Sequence, residues 1–249
     1  ALSGGIGLGE LGLLGFLFAA AGISKFWILS TTQIFLLGWL TWQGSLRAVL
    51  SSIKDVMTEI RSSVQVAPGW MRWAAILAFI FTFLLTFLPP ADAFDALFYH
   101  LTTPARWIQD GGLVAYNFPH YWFPGIVEGA YFWGLGLSTE IVPQQLHFAW
   151  SLLTVLLVWE WTRQLWGNVT AWWALMLIIS MPAFLLLASW AYTDMALCFY
   201  GVAMLYTLSV GKEQNDSRWW TLSAISAGMA MGVKYTSFVM PLTAVLLIF

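Results

Sequence analysis

The sequence predicts an all-α polytopic integral membrane protein, and two observations carry that prediction. Hydrophobic residues make up 60% of the chain and charged residues only 9%, whereas soluble domains average roughly 25% charged residues. The mean hydropathy is +0.77. In addition, the apolar residues form long runs of about 20, the length that crosses a hydrocarbon layer of ~30 Å as a helix.

Runs of spanning length occur along most of the chain. We assign membrane-crossing helices to residues 5–24, 26–46, 70–89, 145–163, 170–190 and 194–210, with shorter runs at 219–233 and 236–249. The chain begins at Ala1 without a methionine and stops inside an apolar run at Phe249. We therefore expect it to be a segment of a longer protein.

The composition argues against several classes of function. A formal net charge of −2 offers no basic face, so we expect no nucleic-acid partner. The single cysteine, Cys198, leaves neither a disulfide framework nor a cysteine-based metal site. His120 and His147 are far apart and follow no pattern, so no metal ligands are assigned.

The basic residues predict the arrangement across the membrane, because cytoplasmic loops carry an excess of Lys and Arg. An amphipathic segment at 47–69 lies among four of them, and we interpret it as a cytoplasmic surface helix. It would connect an N-terminal pair of helices at 1–46 to a core at 70–249. The segment 122–138 contains four glycines and a glutamate, which is typical of an interfacial or re-entrant element. The core then carries an external loop at 90–144.

This external loop contains a predicted interfacial helix. At ~100° per residue, one side is apolar and the other carries Asp92, Asp95, Tyr99, Thr102, Thr103 and Arg106. Asp92 follows two prolines, which favours a helix N-cap, whereas a cap and a functional role both stay open for Asp95. His100 lies off the polar stripe and is more typical of a packing or hydrogen-bonding residue than of a metal ligand.

Two further ionisable residues interrupt apolar sequence on the same predicted side. Asp194 lies in a very short turn between two spans. A charged Asp in hydrocarbon costs ~2.5–3.5 kcal/mol or more, so it should face water, a partner or a substrate. Capping of the next helix by Thr193 or Asp194 is the alternative. Lys234 either snorkels to the interface or binds an anion.

Three strings of sequence stand in order on this side of the membrane: Asp95-Ala-Leu-Phe-Tyr-His100, Tyr192-Thr-Asp-Met-Ala-Leu197 and Gly228-Met-Ala-Met-Gly-Val-Lys-Tyr-Thr236. Together they resemble the GT-C glycosyltransferases, specifically the branch of the protein O-mannosyltransferases and the aminoarabinose transferase of lipid A. The resemblance covers roughly residues 70–249. It implies a GT-C-like helical bundle whose external loop carries interfacial helices. The best-known members often have adjacent Asp-Glu in this loop, whereas here Asp92 and Asp95 are three residues apart.

The resemblance also implies an activity. Such enzymes pass a sugar from a polyprenyl-phosphate carrier to a hydroxyl acceptor on a protein, lipid or glycan, usually with inversion. They do so at the outer face of a membrane, here a bacterial plasma membrane within the cell envelope. An acidic residue of the first external loop acts as general base, which assigns that role to Asp95, with Asp92 as the alternative.

The remaining site residues follow from the same resemblance. Asp194 would orient the acceptor or a divalent cation, the one metal cofactor that the resemblance allows. Lys234 would steady the leaving phosphate, and Arg106 is a second candidate for that anion. Tyr99 and His100 belong to the first matching string and are candidates for substrate binding.

Two other classes of membrane protein compete with this interpretation. A non-catalytic subunit or scaffold of a larger complex would account for the 17 Trp residues as contact surface. A transporter would have ionisable residues near the bilayer midplane, often within an internal repeat. The sequence has no such repeat, and its carboxylates lie near one surface.

Overall fold

The described part of the chain is helical and contains no strand, which confirms the predicted all-α membrane class. A computed structural model describes residues 1–44, 66–89, 93–136 and 139–248, with isolated positions between 47 and 58. Asp92 and about half of the segment 47–69 lie outside the described residues. The predicted surface helix and the domain boundaries around it therefore stay predictions.

The helices follow one another with short connections. In chain order they are α1 (Leu2–Ala20), α2 (Phe26–Trp42), α3 (Gly69–Leu85), a π-helix (Ala96–His100), α4 (Thr102–Gln109), a 3-10 helix (Pro119–Trp122), α5 (Ile126–Gly136), α6 (Ile141–Ile179), α7 (Pro182–Ser189), α8 (Asp194–Gln214), α9 (Ser217–Val233), a second 3-10 helix (Tyr235–Phe238) and α10 (Val239–Ile248). Of these described helices, α1, α6 and α8 are both long enough and apolar enough to cross a membrane alone.

The predicted spans 145–163 and 170–190 meet at a backbone break. The range of α6 consists of two helical parts separated at Gly167, whose φ of 83° only glycine adopts at little cost. The predicted span 170–190 is then divided before Pro182. Met181 has an extended backbone, because a residue that precedes proline is disfavoured in the α conformation.

The bundle has two ends that differ in their connections. At one end, which we call the loop end, Leu113 donates a backbone hydrogen bond to the carbonyl of Ala19 at 3.1 Å. The long segment between α3 and α6 thus meets the end of α1 there. At the opposite end, Lys212 donates to the carbonyl of Leu247 at 2.8 Å, and Arg163 pairs with Glu160 at 2.8 Å.

The short helix α5 lies inside the bundle and has α1, α4, α6 and α9 among its neighbours. It has 11 residues, about half the length of a membrane span. Its crossing with α1 is very close: a Cβ on Gly12 would lie 2.0 Å from the carbonyl oxygen of Ile126, and one on Gly129 2.0 Å from that of Gly12. Trp133 also donates to the carbonyl of Leu11 at 3.0 Å. Small residues at the crossing permit this approach.

Replacing Gly12 by alanine should destabilise the bundle, because the added methyl group meets backbone rather than a side chain that can move. We expect a loss of about 1–3 kcal/mol, seen as a lower midpoint of thermal unfolding in detergent. The matched control is Gly7→Ala in the same helix, where a Cβ meets nothing within 4 Å. Equal midpoints for the two variants would show that the α1–α5 crossing is not tight.

Candidate functional site

The candidate site lies at the loop end, where several short segments meet. The π-helix, the start of α5, the turn between α7 and α8 and the segment after α9 all contribute side chains. Three of these segments, all except the start of α5, contain the strings singled out in the sequence. Each begins or ends a helix, so the loop end gathers ionisable residues that are far apart along the chain.

The π-helix changes which residues of the external loop face the protein. Leu101 donates to the carbonyl of Ala96 at 2.8 Å, five residues back, so this turn holds one residue more than an α-helical turn. His100 and Leu101 are therefore buried and Arg106 is exposed. Uniform helical spacing had placed His100 off the polar stripe and Arg106 on it, and the extra residue in this turn changes the angle between the two side chains. Such turns are frequent at functional sites.

Asp95 lies between two phenols at the start of the π-helix. Its half-buried carboxylate accepts a hydrogen bond from Tyr99, and its backbone bonds to the hydroxyl of Tyr192. Asp95 makes no capping hydrogen bond with its side chain. Burial raises the pKa of Tyr99 well above its usual range, and the charge of Asp95, its hydrogen bond, and the charges of Glu128 and Asp194 raise it further. Tyr99 thus keeps its proton, and its O–H donates a hydrogen bond to Asp95.

A buried pair joins the external loop to α5. The Nδ1 atom of His100 lies 2.6 Å from Oε1 of Glu128, and these residues are only 3% and 5% exposed. His100 is therefore a hydrogen-bonding residue, as its type suggested. No role for Glu128 was predicted, although a carboxylate within a glycine-containing apolar segment was a signal that could have singled it out.

An ion pair joins the other two predicted site residues. Lys234 Nζ lies 2.9 Å from Asp194 Oδ1, and each side chain is 33% exposed. Asp194 is the first residue of α8, where the positive end of the helix dipole favours a carboxylate. Thr193 makes no capping hydrogen bond with its side chain. The sequence treated Asp194 and Lys234 as separate features 40 residues apart, and only the fold brings them into contact.

His147, which sequence reasoning set aside, holds the turn that presents Asp194. Its Nε2 accepts a hydrogen bond from the backbone N–H of Met195 at 3.0 Å, so its Nδ1 carries the proton and donates to the carbonyl of Leu187 at 3.0 Å. The side chain is completely buried. One residue thus ties the end of α7 to the start of α8 and fixes where Asp194 emerges.

A cavity of about 210 Å³ opens among these residues. Its walls combine aromatic and polar side chains: Tyr99, His100, Phe123, Pro124, Glu128, Val233, Lys234, Tyr235 and Thr236. The rings of Phe123 and Tyr235 lie 5.4 Å apart on one side. Apolar walls with a few convergent polar groups are the usual composition of a ligand site.

Arg106 lies apart from this cavity. It is exposed and interacts with Tyr116, whose hydroxyl donates to Asp110. Its role as a second anion-binding residue stays a prediction. Among the residues that the structure describes, no three His, Cys, Asp or Glu side chains group so as to hold a metal ion. Asp194 was predicted to orient the acceptor or a divalent cation, and in the structure its carboxylate is paired with Lys234.

Replacing His147 by leucine should lower stability and displace Asp194, because the change leaves the N–H of Met195 buried without a partner and removes one of two hydrogen bonds to the carbonyl of Leu187. A buried group without a partner costs about 1–3 kcal/mol, measured as a lower midpoint of thermal unfolding. His120→Leu is the matched control, since its buried Nδ1 has no hydrogen-bond partner within the described residues. A loss of the same size in both variants would argue against the anchoring role of His147.

Comparison with known proteins gives one match. The family model of the dolichyl-phosphate-mannose-protein mannosyltransferases matches residues 132–249, a region that includes Asp194 and Lys234. Neither the curated proteins nor the solved structures contain a match to the chain. The family match confirms the predicted resemblance to the GT-C membrane glycosyltransferases, which use lipid-linked sugar donors. It favours an enzyme over a non-catalytic subunit.

Proposed function

We propose that this protein, as a GT-C membrane glycosyltransferase, transfers a sugar from a polyprenyl-phosphate carrier to a hydroxyl acceptor at the loop end of the bundle. One observation carries the proposal. Tyr99, which interacts with Asp95, lines the same cavity as Lys234, and Lys234 Nζ lies 2.9 Å from Asp194 Oδ1. A base and a cation therefore lie within one site.

The proposed reaction is a single displacement. The acceptor hydroxyl oxygen attacks the anomeric carbon, and the bond between that carbon and the phosphate oxygen breaks. The hydroxyl proton passes to the carboxylate of Asp95, and the carrier leaves as polyprenyl phosphate. Attack from the side opposite the phosphate inverts the anomeric configuration. Asp95 suits the role of base because a carboxylate that accepts from Tyr99 retains further acceptor positions.

Lys234 is the proposed contact to the leaving phosphate. An ammonium group has three donors, and the bond to Asp194 at 2.9 Å uses one of them. The other two can receive the charge that develops on the phosphate. Asp194 would then position Lys234, rather than hold a divalent cation. Arg106 remains the second candidate, for a phosphate that lies further toward the surface.

We propose that the site lies at the external face of the membrane that the protein spans. The opposite end carries Arg163, Lys212 and Arg218, and an excess of basic residues marks the cytoplasmic side. The loop end, with its carboxylates, then faces outward, where the acceptor on a protein, lipid or glycan of the cell envelope would approach. A bacterial plasma membrane is the setting that we propose.

Replacing Asp95 by asparagine in the full-length protein should lower transfer of labelled sugar from a polyprenyl-phosphate donor by about 10²–10⁴-fold. The amide keeps the shape of the side chain but cannot accept the hydroxyl proton. Transfer is measured in membranes, and insertion and folding are checked separately. Asp110→Asn, an exposed aspartate of the same loop, should remain active. If Asp95→Asn is as active as wild type, the base lies elsewhere and Asp92 is tested next.

Replacing Lys234 by glutamine should lower kcat by about 10²–10³-fold, since the lost charge acts mainly on the transition state. KM for the donor should change much less. Lys212→Gln removes the same charge at the opposite end of the bundle and should leave both constants unchanged. A variant of Lys234 that raises KM alone would show that this residue binds the donor without stabilising the leaving group.

A further inference from the structure

Glu128 has one carboxylate oxygen that the fold does not satisfy. Its Oε1 bonds to His100 at 2.6 Å, while its Oε2 is buried and has no hydrogen-bond partner among the described residues. Folded proteins rarely leave such an atom without a partner, and each instance costs about 1–3 kcal/mol or more for a charged group. The atom is therefore a candidate for a partner that arrives with a ligand.

The bond to His100 fixes the orientation of this carboxylate. An ionised carboxylate only accepts hydrogen bonds, so Nδ1 of His100 must be the donor. His100 is itself buried and packs against Tyr99, with ring centroids 4.1 Å apart. Oε2 is thereby held in one position as an acceptor and cannot turn away to water. An acceptor fixed in this way selects ligands that carry a hydrogen-bond donor at the matching point.

Glu128 lines the 210 Å³ cavity together with Lys234. That volume is below the ~300–1,000 Å³ typical of sites for drug-sized ligands, which suits one sugar ring better than a longer glycan. Phe123 and Tyr235 supply apolar contact, and Lys234 is the proposed phosphate contact. The group that is bonded directly to the phosphate of the donor is the transferred sugar, which places that sugar next to Glu128.

We infer that Glu128, oriented by His100, recognises a hydroxyl group of the transferred sugar through its free Oε2 atom. The inference rests on the proposed function and adds to it the determinant of donor specificity. The site built around this acceptor should discriminate against a sugar that lacks the matching hydroxyl, because binding of such a sugar would leave the carboxylate oxygen unpaired.

The test is a series of polyprenyl-phosphate sugars, each lacking one hydroxyl, assayed with full-length wild type and with Glu128→Gln. Glutamine keeps the shape and an acceptor for His100 but replaces the second oxygen by a hydrogen-bond donor. With wild type, removal of one particular hydroxyl should lower kcat/KM by about 10–100-fold. With Glu128→Gln, removal of that same hydroxyl should cause no further loss, while the other positions keep their wild-type effects.

Matched variants separate recognition from general damage. Glu140→Gln makes the same chemical change at an exposed glutamate near the site and should reproduce the wild-type series. Glu128→Asp keeps the charge but draws the carboxylate back by one methylene, so it should also lose sensitivity to the matching hydroxyl. It provides the comparison if Glu128→Gln does not fold.

The outcomes distinguish this inference from the proposed function. Wild-type transfer with an identical deoxy series in wild type and both Glu128 variants would overturn the recognition role and leave the glycosyltransferase intact. Absence of wild-type transfer from every polyprenyl-phosphate donor would overturn the proposed function, and the inference with it. If the removal of one hydroxyl lowers kcat/KM in wild type and in Glu140→Gln but not in the Glu128 variants, the result supports both the proposed function and the recognition role of Glu128.

Discussion

The close crossing of α1 and α5 is the constraint on which the loop end depends. Without a Cβ at Gly12 and Gly129, the two backbones approach each other directly and α5 is held deep in the bundle. Dispersion contacts rather than exclusion of water drive such packing in a membrane. The helix α5 is too short to span, yet it is fixed by neighbours on several sides. It therefore presents Glu128 from a rigid position inside the protein.

Charge pairing explains how an apolar bundle tolerates so many ionisable groups at one end. A carboxylate in a medium of low dielectric constant is costly unless it is paired and hydrogen-bonded. The loop end meets this requirement through His100 with Glu128, Lys234 with Asp194, and Tyr99 with Asp95. These pairs also restrain the side chains that carry the chemistry. Asp194 and Lys234 also lie within the region that the family model matches.

Much of the site was visible in the sequence as separate residues. Asp95, Asp194 and Lys234 stand out because charged side chains are rare in such apolar sequence, and sidedness placed them on one surface. The π-helix could not be predicted, because no residue type in Ala96–His100 indicates one extra residue in a turn. His147 was set aside because its partners are two backbone groups, and backbone groups leave no pattern in a sequence.

The sequence by itself determined the membrane class, the order of the helices and the residue types available for the reaction. These properties depend on local composition and on the free energy of placing each segment in hydrocarbon, which a run of about 20 residues already specifies. The tertiary structure alone decided which charges meet. The pair Asp194–Lys234 spans 40 residues and the pair His100–Glu128 spans 28, and such distances close only when whole helices pack. Which oxygen of Glu128 lacks a partner among the described residues is set by that packing.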